Sequence, residues 1–402
     1  MVRPYAWGSV DAIAELTGRP VPAPGPEAEL WMGAHPGAPS GVDRGSVDRD
    51  GAGGPPTTLD QVIAADPDRE LGPGCVARFG PRLPFLLKVL SAAQALSIQV
   101  HPSRAQAQAG FLAETERGLA LGDPARNYTD DWPKPELLYA LTPFEVLAGL
   151  RSPADAAQFL RALEVGPLTP LAAQLEAATS PQVLADVLAT ILSWPAPDRS
   201  ALVGDVVAAC ARLAAAGGPY SAAAAAAVRV AADHPGDLGV VASLLLRHAV
   251  LEPGQAVFLA AGGLHAYLNG TGIELLGNSD NVVRAGLTGK HLDVPELLAL
   301  LDPSVEVPVL TPRTLADGIA WFDTPAPEFR LYLVDPVGNT AALPGEGPRI
   351  LLCTEGSVVL RSESGQEVEI GRGVSCFVSA ADGTVTCTGQ AHLFLAAPGP
   401  NP

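Results

Sequence analysis

Leu96-Ser97-Ile98-Gln99-Val100-His101-Pro102 alternates strictly between apolar and polar side chains from 96 to 101. Successive side chains of a β-strand point to opposite faces, so Ser97, Gln99 and His101 share one face while Ile98 and Val100 take the other. Such a strand has an apolar side for a core and a polar side carrying an amide and an imidazole. Two later segments bring matching donors: Lys134-Pro135-Glu136 supplies a carboxylate beside an ammonium, and Gly263-Leu264-His265-Ala266-Tyr267 supplies a second imidazole. Two histidines, a carboxylate and an amide oxygen make an N/O donor set of the kind zinc accepts when a further position stays open for chemistry.

Lysine usage points to the same places. The chain has three lysines, Lys88, Lys134 and Lys290, against 22 arginines. Arginine therefore supplies nearly all ordinary surface charge. Two of the lysines flank the donor segments, in Phe85-Leu86-Leu87-Lys88 and Lys134-Pro135-Glu136, and the third follows the run from Asp280 to Arg284. A compact ammonium meets a phosphate as a point charge and loses its proton more readily than a guanidinium when buried.

Composition bounds the rest. At 402 residues the chain exceeds one ordinary core, and 48% hydrophobic with 17% charged residues marks a globular protein of two or three domains. A net charge of −18 repels phosphate backbones, which argues against nonspecific binding to nucleic acid or anionic membrane. An anionic small substrate then needs a local basic pocket. No stretch reaches the roughly 18 to 20 apolar residues of a membrane span, and a cytoplasmic location is expected. Cys75, Cys210, Cys353, Cys376 and Cys387 are widely spaced and odd in number, without a Cys-x-x-Cys pair, so they form no disulfide or zinc-knuckle framework. The last three read as small buried hydrophobes.

The segment from Arg44 to Pro56 has the Asp and Gly content of an exposed loop, and Thr58-Leu59-Asp60-Gln61-Val62-Ile63-Ala64-Ala65 reads as a short helix. From residue 152 to about 236 the pattern is helical. Ser152-Pro153, Thr169-Pro170 and Ser180-Pro181 each put a hydroxyl before a proline, the signature of a helix start, and Ser221 to Ala232 is alanine-dense. Past His234-Pro235-Gly236 strands return. Leu251 to Leu268 reads as turn, strand, glycine turn and returning strand, with His265 opening the return. From 325 to 398, short apolar runs parted by Glu355-Gly356, Ser364-Gly365 and Asp382-Gly383 suggest a β-sandwich or barrel.

The motifs Tyr5-Ala6-Trp7-Gly8-Ser9, Glu29-Leu30-Trp31-Met32-Gly33-Ala34-His35-Pro36, Leu83-Pro84-Phe85-Leu86-Leu87-Lys88, Ser97-Ile98-Gln99-Val100-His101-Pro102, Asn127-Tyr128-Thr129-Asp130, Lys134-Pro135-Glu136-Leu137, Ile273-Glu274-Leu275 and Asn278-Ser279-Asp280-Asn281-Val282-Val283-Arg284 occur in the order found in one family. On them the chain resembles the type I mannose-6-phosphate isomerases, zinc enzymes of the cupin class. The likeness covers most of the chain outside the helical stretch and the last segment. It implies a mainly β fold with an α-helical insertion. A cupin-like jelly-roll catalytic domain would occupy 1–151 and 237–324, a helical insertion 152–236, and a smaller C-terminal cupin-like β-barrel 325–402. It also implies one Zn2+ per chain on Gln99, His101, Glu136 and His265. The implied reaction interconverts mannose 6-phosphate and fructose 6-phosphate through an enediol, supplying mannose 6-phosphate for mannose metabolism and GDP-mannose synthesis. In Trp132-Pro133-Lys134-Pro135-Glu136 this chain carries proline where many members have histidine, so a mechanism through that histidine has no residue here.

Aldose–ketose isomerisation needs a group that moves a proton between C1 and C2, a stabiliser of developing negative charge, and a grip on the phosphate. Glu274, in the apolar run Gly272-Ile273-Glu274-Leu275-Leu276, is the first candidate proton carrier, with salt-bridging to an arginine as its alternative. Asp280 and then Lys134 follow, though Asp280 also suits a turn. Arg284, Lys88 and Ser97 are candidates for the phosphate or the developing charge, with Lys134 and Tyr267 as further substrate contacts. Arg284 could instead pair with Glu274 or Asp280, and Lys290 could be a solvated charge. Trp7, Trp31 and Tyr267 would line a sugar cleft or simply fill core. His35 suits a structural or ligand-orienting place, and His234, His248, His291 and His392 structural ones. Two other functions fit the pattern less well. An iron oxygenase would use two histidines and a carboxylate, without the amide of Gln99. A non-enzymatic cupin that binds or senses a phosphosugar would need no proton carrier. The expected partner is a small phosphosugar, with no nucleic acid or membrane, and the chain is expected to be a monomer.

Overall fold

One strand, His265–Gly277, joins two halves of an eleven-stranded antiparallel sheet. Its first residues pair with Ile98–Val100 and Phe144–Leu150, whereas from Gly270 onward it pairs with Phe85–Ala92 on one side and Glu136–Ala140 on the other. Between Tyr267 and Asn269 the register slips, and Gly270 follows at φ +130°. A β-bulge of this kind bends a strand and changes which residues face which side. Glycine is required there: a Cβ at 270 would lie 2.7 Å from the Phe144 ring and 2.8 Å from the Pro143 carbonyl oxygen. Tyr267, ahead of the bulge, and Glu274, behind it, consequently line the same cavity although their numbers differ in parity.

This computed structural model describes residues 1–43, 57–337 and 340–400. The loop expected from Arg44 to Pro56 lies outside the described residues. The short helix expected after Thr58 spans Leu59–Ala65, closed by a capping box between Thr58 and Gln61. The strand at 98–100 behaves as its alternation predicts. Ile98 and Val100 are fully buried in a core shared with the helical stretch, while Ser97 and Gln99 face the cavity.

The helical stretch runs from Pro153 to Asp233. At its start Ser152 caps the helix Pro153–Leu163 by accepting the Asp155 N–H, as expected. The other two Pro signals are displaced. A 3-10 turn, Gly166–Leu168, runs directly into the helix Thr169–Glu176, so Thr169 is already helical and cannot cap. After Ser180 the chain turns through Pro181 and Gln182, and the helix begins at Val183. The alanine-dense run forms Ser221–Asp233, packed beside the longer Arg199–Ala216.

Beyond residue 236 the strands follow the expected order but not the expected pairing. Ala256–Leu259 and the returning strand from His265 are not neighbours, because Glu136–Ala140 lies between them and hydrogen-bonds to both. A second antiparallel sheet, of eight strands, spans 313–397. Its strands Arg313–Ala316 and Ile319–Trp321 precede residue 325, so the change of sheet falls earlier than the composition suggested. Glu355-Gly356 is not a turn. It lies inside the strand Arg349–Arg361, paired with His392 and Ala391 just past a register slip between Cys353 and Glu355, with Gly356 at φ +71°, whereas Ser364-Gly365 does turn the chain into Glu367–Gly371. The backs of the two sheets share a core that includes Leu87, Val89, Ile273 and Leu275 from the first and Leu331, Leu352 and Phe394 from the second. Helix and strand are near parity rather than mainly β, since short helices between strands add to the helical stretch.

All five thiols are free; four are buried, including Cys353 and Cys387, and Cys376 is half-buried. Among the described residues no helix is long and apolar enough to cross a membrane.

Candidate metal centre and its cavity

Strand register sets the donor segments side by side. Gln99 lies opposite His265 across two neighbouring strands, and Arg284 lies opposite Gln99 on the next, giving a row Arg284–Gln99–His265. Glu136 opens its strand opposite Leu276 of the bent strand, and His101 follows the Ile98–Val100 strand directly. The ligand atoms of His101, Glu136 and His265 lie within 4.8 Å of one another, all three residues being buried.

Hydrogen bonding at the rear of each imidazole fixes what faces the centre. His101 Nδ1 lies 2.8 Å from the Asn281 carbonyl oxygen and His265 Nδ1 lies 3.0 Å from that of Gly263. A carbonyl only accepts, so each Nδ1 carries the proton and each Nε2 presents a bare lone pair. Those Nε2 atoms sit 3.2 and 3.4 Å from the Glu136 carboxylate oxygens, yet neither makes a hydrogen bond. Burial pushes the His101 imidazole down to about 4, against the pull of Glu136, so it holds no positive charge near neutral pH. Three acceptors therefore converge in a buried space with no proton between them. That arrangement fits a divalent cation, and Gln99, the register partner of His265, lines the same cavity as Glu136.

Glu136 is the anionic member. Burial alone would raise its carboxyl, but the Lys134 ammonium at 3.0 Å holds it well below the usual carboxylate range. Tyr267 donates its hydroxyl to the same carboxylate at 3.3 Å.

Above this cluster opens a cavity of about 470 Å³. It is lined by Lys88, Ser97, Gln99, Lys134, Glu136, Tyr267, Glu274, Asp280 and Arg284, and by Lys290. Every candidate substrate-contacting or proton-moving residue from the sequence thus reaches one cavity, with His101 and His265 beneath its floor. Trp7 and Trp31 line it as well.

The pairing of charges departs from the sequence expectations. Glu274 is held by Lys88, whose Nζ lies 3.0 Å away, not by an arginine. The same ammonium reaches Glu29 at 3.5 Å and stacks over the Trp31 ring at 4.8 Å. Burial opposes the Lys88 charge, but Glu274, Glu29 and Glu136 outweigh it and its proton is held more tightly than usual. Lys88 is therefore already neutralised by carboxylates and is a poor receiver for a phosphate. Glu274 is raised above the ordinary carboxylate value by burial, with Lys88 opposing and Glu136 and Glu29 reinforcing the rise. Asp280 is at the rim, with its Oδ2 3.5 Å from His35 Nε2. Arg284 pairs with neither Glu274 nor Asp280: no hydrogen bond or ion pair engages its guanidinium among the described residues, and burial alone lowers its affinity for its proton. Lys290 is likewise unpaired and is exposed at the cavity mouth.

Sequence reasoning passed over Glu29 and Asn281. Glu29 carried the same signal as Glu274, a lone carboxylate in the apolar run Ala28-Glu29-Leu30-Trp31. Asn281 is fully buried. Its Oδ1 accepts the N–H groups of Thr129 and Asp130, and its Nδ2 donates to the carbonyl oxygens of Asp130 and Trp132. It ties the approach to Lys134 and Glu136 to the carbonyl that orients His101. Pro133 is buried beside Trp132, which lies between the guanidinium groups of Arg82 and Arg104.

Known proteins resemble this arrangement along its whole length. Residues 1–153 match the family described as phosphomannose isomerase type I, catalytic domain. Mannose-6-phosphate isomerase of Escherichia coli (strain K12) is 35% identical over 395 residues, spanning 98% of this chain and 96% of that protein. The protein of the same name from Emericella nidulans is 34% identical over 436 residues, spanning 94% and 89%. A crystal structure of mannose 6-phosphate isomerase with zinc bound matches with a TM-score of 0.87 at 33% identity, covering 100% of this chain and 98% of that one.

Proposed function

The chain belongs to the type I phosphomannose isomerases, and from that premise we infer that it interconverts mannose 6-phosphate and fructose 6-phosphate through an enediol, with zinc as its metal. The observation that carries the reading is the pair of bare imidazole nitrogens facing a carboxylate under a cavity where Arg284 and Lys290 have no ion-pair partner among the described residues. His101, Glu136 and His265 hold the ion, with Gln99 as the fourth ligand. When bound, the ion polarises sugar oxygens and stabilises negative charge that develops on them.

The protein groups divide the remaining work. Glu274 is the proton carrier: its carboxyl, raised above the usual carboxylate value by burial, lines the cavity that Glu136 also lines. Lys88 fixes its orientation from 3.0 Å. Asp280 is the second candidate, and Lys134 holds the charge on Glu136 while facing the same cavity. Arg284 and Lys290 receive the phosphate, Arg284 with a planar guanidinium whose donors are free, and Ser97 adds a hydroxyl. Tyr267, Trp7 and Trp31 supply the walls against which a sugar ring packs. No step uses the position of Pro133.

The bent, bulged sheet supports a cupin-like jelly roll as the catalytic fold, built from 1–151 and from 237 to the start of the second sheet with 152–236 inserted, and the second sheet supports a smaller cupin-like barrel that begins at Arg313 rather than at 325. Five free thiols support a reducing compartment such as the cytoplasm.

A coupled assay following mannose 6-phosphate to fructose 6-phosphate, before and after exhaustive chelation and after zinc is restored, tests the reading. Turnover that stops on metal removal and returns with zinc supports it. Turnover that persists in fully metal-free protein rules the zinc role out, and phosphosugar binding without turnover would make the chain a sensor.

A further inference from the structure

Leu287 lines the cavity, is 1% exposed, and adopts φ +56°. That left-handed backbone is unfavourable for a bulky side chain, and it persists only where the surroundings impose it. The residues around it show what does so. The next N–H, of Thr288, donates at 3.1 Å to Oδ2 of Asp237. Oδ1 of the same carboxylate accepts the Gly239 N–H at 2.7 Å. Thr288 Oγ1 in turn accepts the Lys290 N–H at 3.1 Å. Just before Leu287, Gly286 and Gly239 touch backbone to backbone: a Cβ on Gly286 would lie 2.6 Å from the Gly239 Cα. The register slip between Arg284 and Gly286 falls at this contact.

Asp237 itself does not line the cavity. It sits just past the helical stretch, in the turn His234-Pro235-Gly236-Asp237, and that turn also holds the facing wall. Asp233 Oδ2 accepts the Ala95 N–H at 3.2 Å, and His234 Nε2–H donates to the Ala95 carbonyl oxygen at 3.0 Å. One turn thus clamps both the segment leading to Ser97 and the segment from Arg284 to Lys290. The Asp237 bond to Gly239 is a local turn interaction, but its bond to Thr288 reaches 51 residues along the chain.

We propose that Asp237 is a positioning residue for phosphate recognition: by holding Leu287 and Thr288 in place from outside the cavity, it aims Arg284 and Lys290 at the phosphate. The proposal rests on the assignment of the phosphate to those two cations. It separates phosphate affinity from the metal chemistry, because Asp237 touches none of the four metal-ligand candidates.

Inorganic phosphate binding by calorimetry, measured beside mannose 6-phosphate kinetics, tests it. In Asp237→Ala, phosphate affinity falls and the KM for mannose 6-phosphate rises by about tenfold or more, while kcat stays within about twofold and zinc content is unchanged. Asp237→Asn, which keeps one oxygen acceptor and serves if the alanine variant does not fold, gives a smaller change of the same kind. In a Leu287→Gly background, where φ +56° needs no enforcement, the effect of Asp237→Ala shrinks. Unchanged phosphate affinity in both Asp237 variants, a kcat loss at constant KM, or an equal effect in both backgrounds overturns the proposal. A wild-type chain that binds phosphate but does not isomerise mannose 6-phosphate would defeat the functional reading and leave this one intact.

Discussion

Replacing Lys88 with methionine removes the one cation between two buried carboxylates. Its Nζ lies 3.0 Å from Glu274 and 3.5 Å from Glu29, and the three side chains are 6%, 4% and 9% exposed. At an effective dielectric near 20, each contact is worth about 5 kcal/mol of gross Coulomb attraction. Burying the ammonium costs several kcal/mol of that, and the variant recovers the cost, but its carboxylates are left without a counter-charge. The net expectation is a loss of about 3–5 kcal/mol in unfolding free energy near pH 8. The pH dependence has a definite sign. Glu274 is already raised in the intact protein, by burial first, and loses the ion pair that opposed the rise. A carboxyl whose folded pKa lies above its unfolded value adds stability as pH falls through that raised value, so the deficit is largest at pH 8 and shrinks at pH 5. Urea unfolding followed by tryptophan fluorescence at both pH values measures it. A deficit below about 1 kcal/mol at pH 8, or one that grows in acid, refutes the account of Lys88 as the counter-ion of a buried carboxylate pair.

Titrating zinc into chelator-treated protein should raise its thermal midpoint, because bare Nε2 atoms gain a partner only in the folded chain; about 4 kcal/mol is expected at a thousandfold excess over Kd, and an unmoved midpoint contradicts the metal assignment. Gly270→Ala puts a Cβ against Phe144 and Pro143 in a left-handed backbone, so it should cost about 2–4 kcal/mol by denaturant unfolding and lower activity in the folded fraction, since it deforms the bulge that brings Tyr267 and Glu274 together. Arg284→Ala should raise the KM for mannose 6-phosphate by roughly 10- to 100-fold with a smaller effect on kcat, and Arg284→Lys should restore only part of it; a kcat-only effect in steady-state kinetics would remove Arg284 from phosphate binding.

What could be read from the sequence was what depends on near neighbours. The alternation from Leu96 to His101 assigned Ile98 and Val100 to a core and Ser97 and Gln99 to a cavity, because strand parity is a local property. Ser152 worked as a cap for the same reason, whereas Thr169 failed because a preceding 3-10 turn had already started the helix. Partners were not legible. Glu274 takes Lys88 rather than an arginine because the two stand opposite in register across strands far apart in the chain. Glycine pairs misled in a similar way: Glu355-Gly356 has the composition of a turn, yet a glycine at positive φ also sits inside a paired strand next to a register slip, and only pairing distinguishes the two. Asp237 gave no signal at all, since its importance lies in a distant N–H.

The helical stretch leaves the first sheet after Leu150 and rejoins it at Leu246, and those two residues are direct partners in adjacent strands. The Arg151 guanidinium and main chain close the gap by bonding to the Leu244 and Leu245 carbonyl oxygens. Topologically the whole stretch is the loop of a hairpin. Lineages can therefore lengthen, shorten or exchange the helices ahead of the turn that holds Asp233, His234 and Asp237 without altering one rung of the ladder that carries Gln99 and His265. What they cannot do is discard the stretch, since Ile98, Val100 and Leu147 would then meet water. Natural variation should accordingly concentrate in the length and sequence of this module, while the apolar footprint beneath it stays the same.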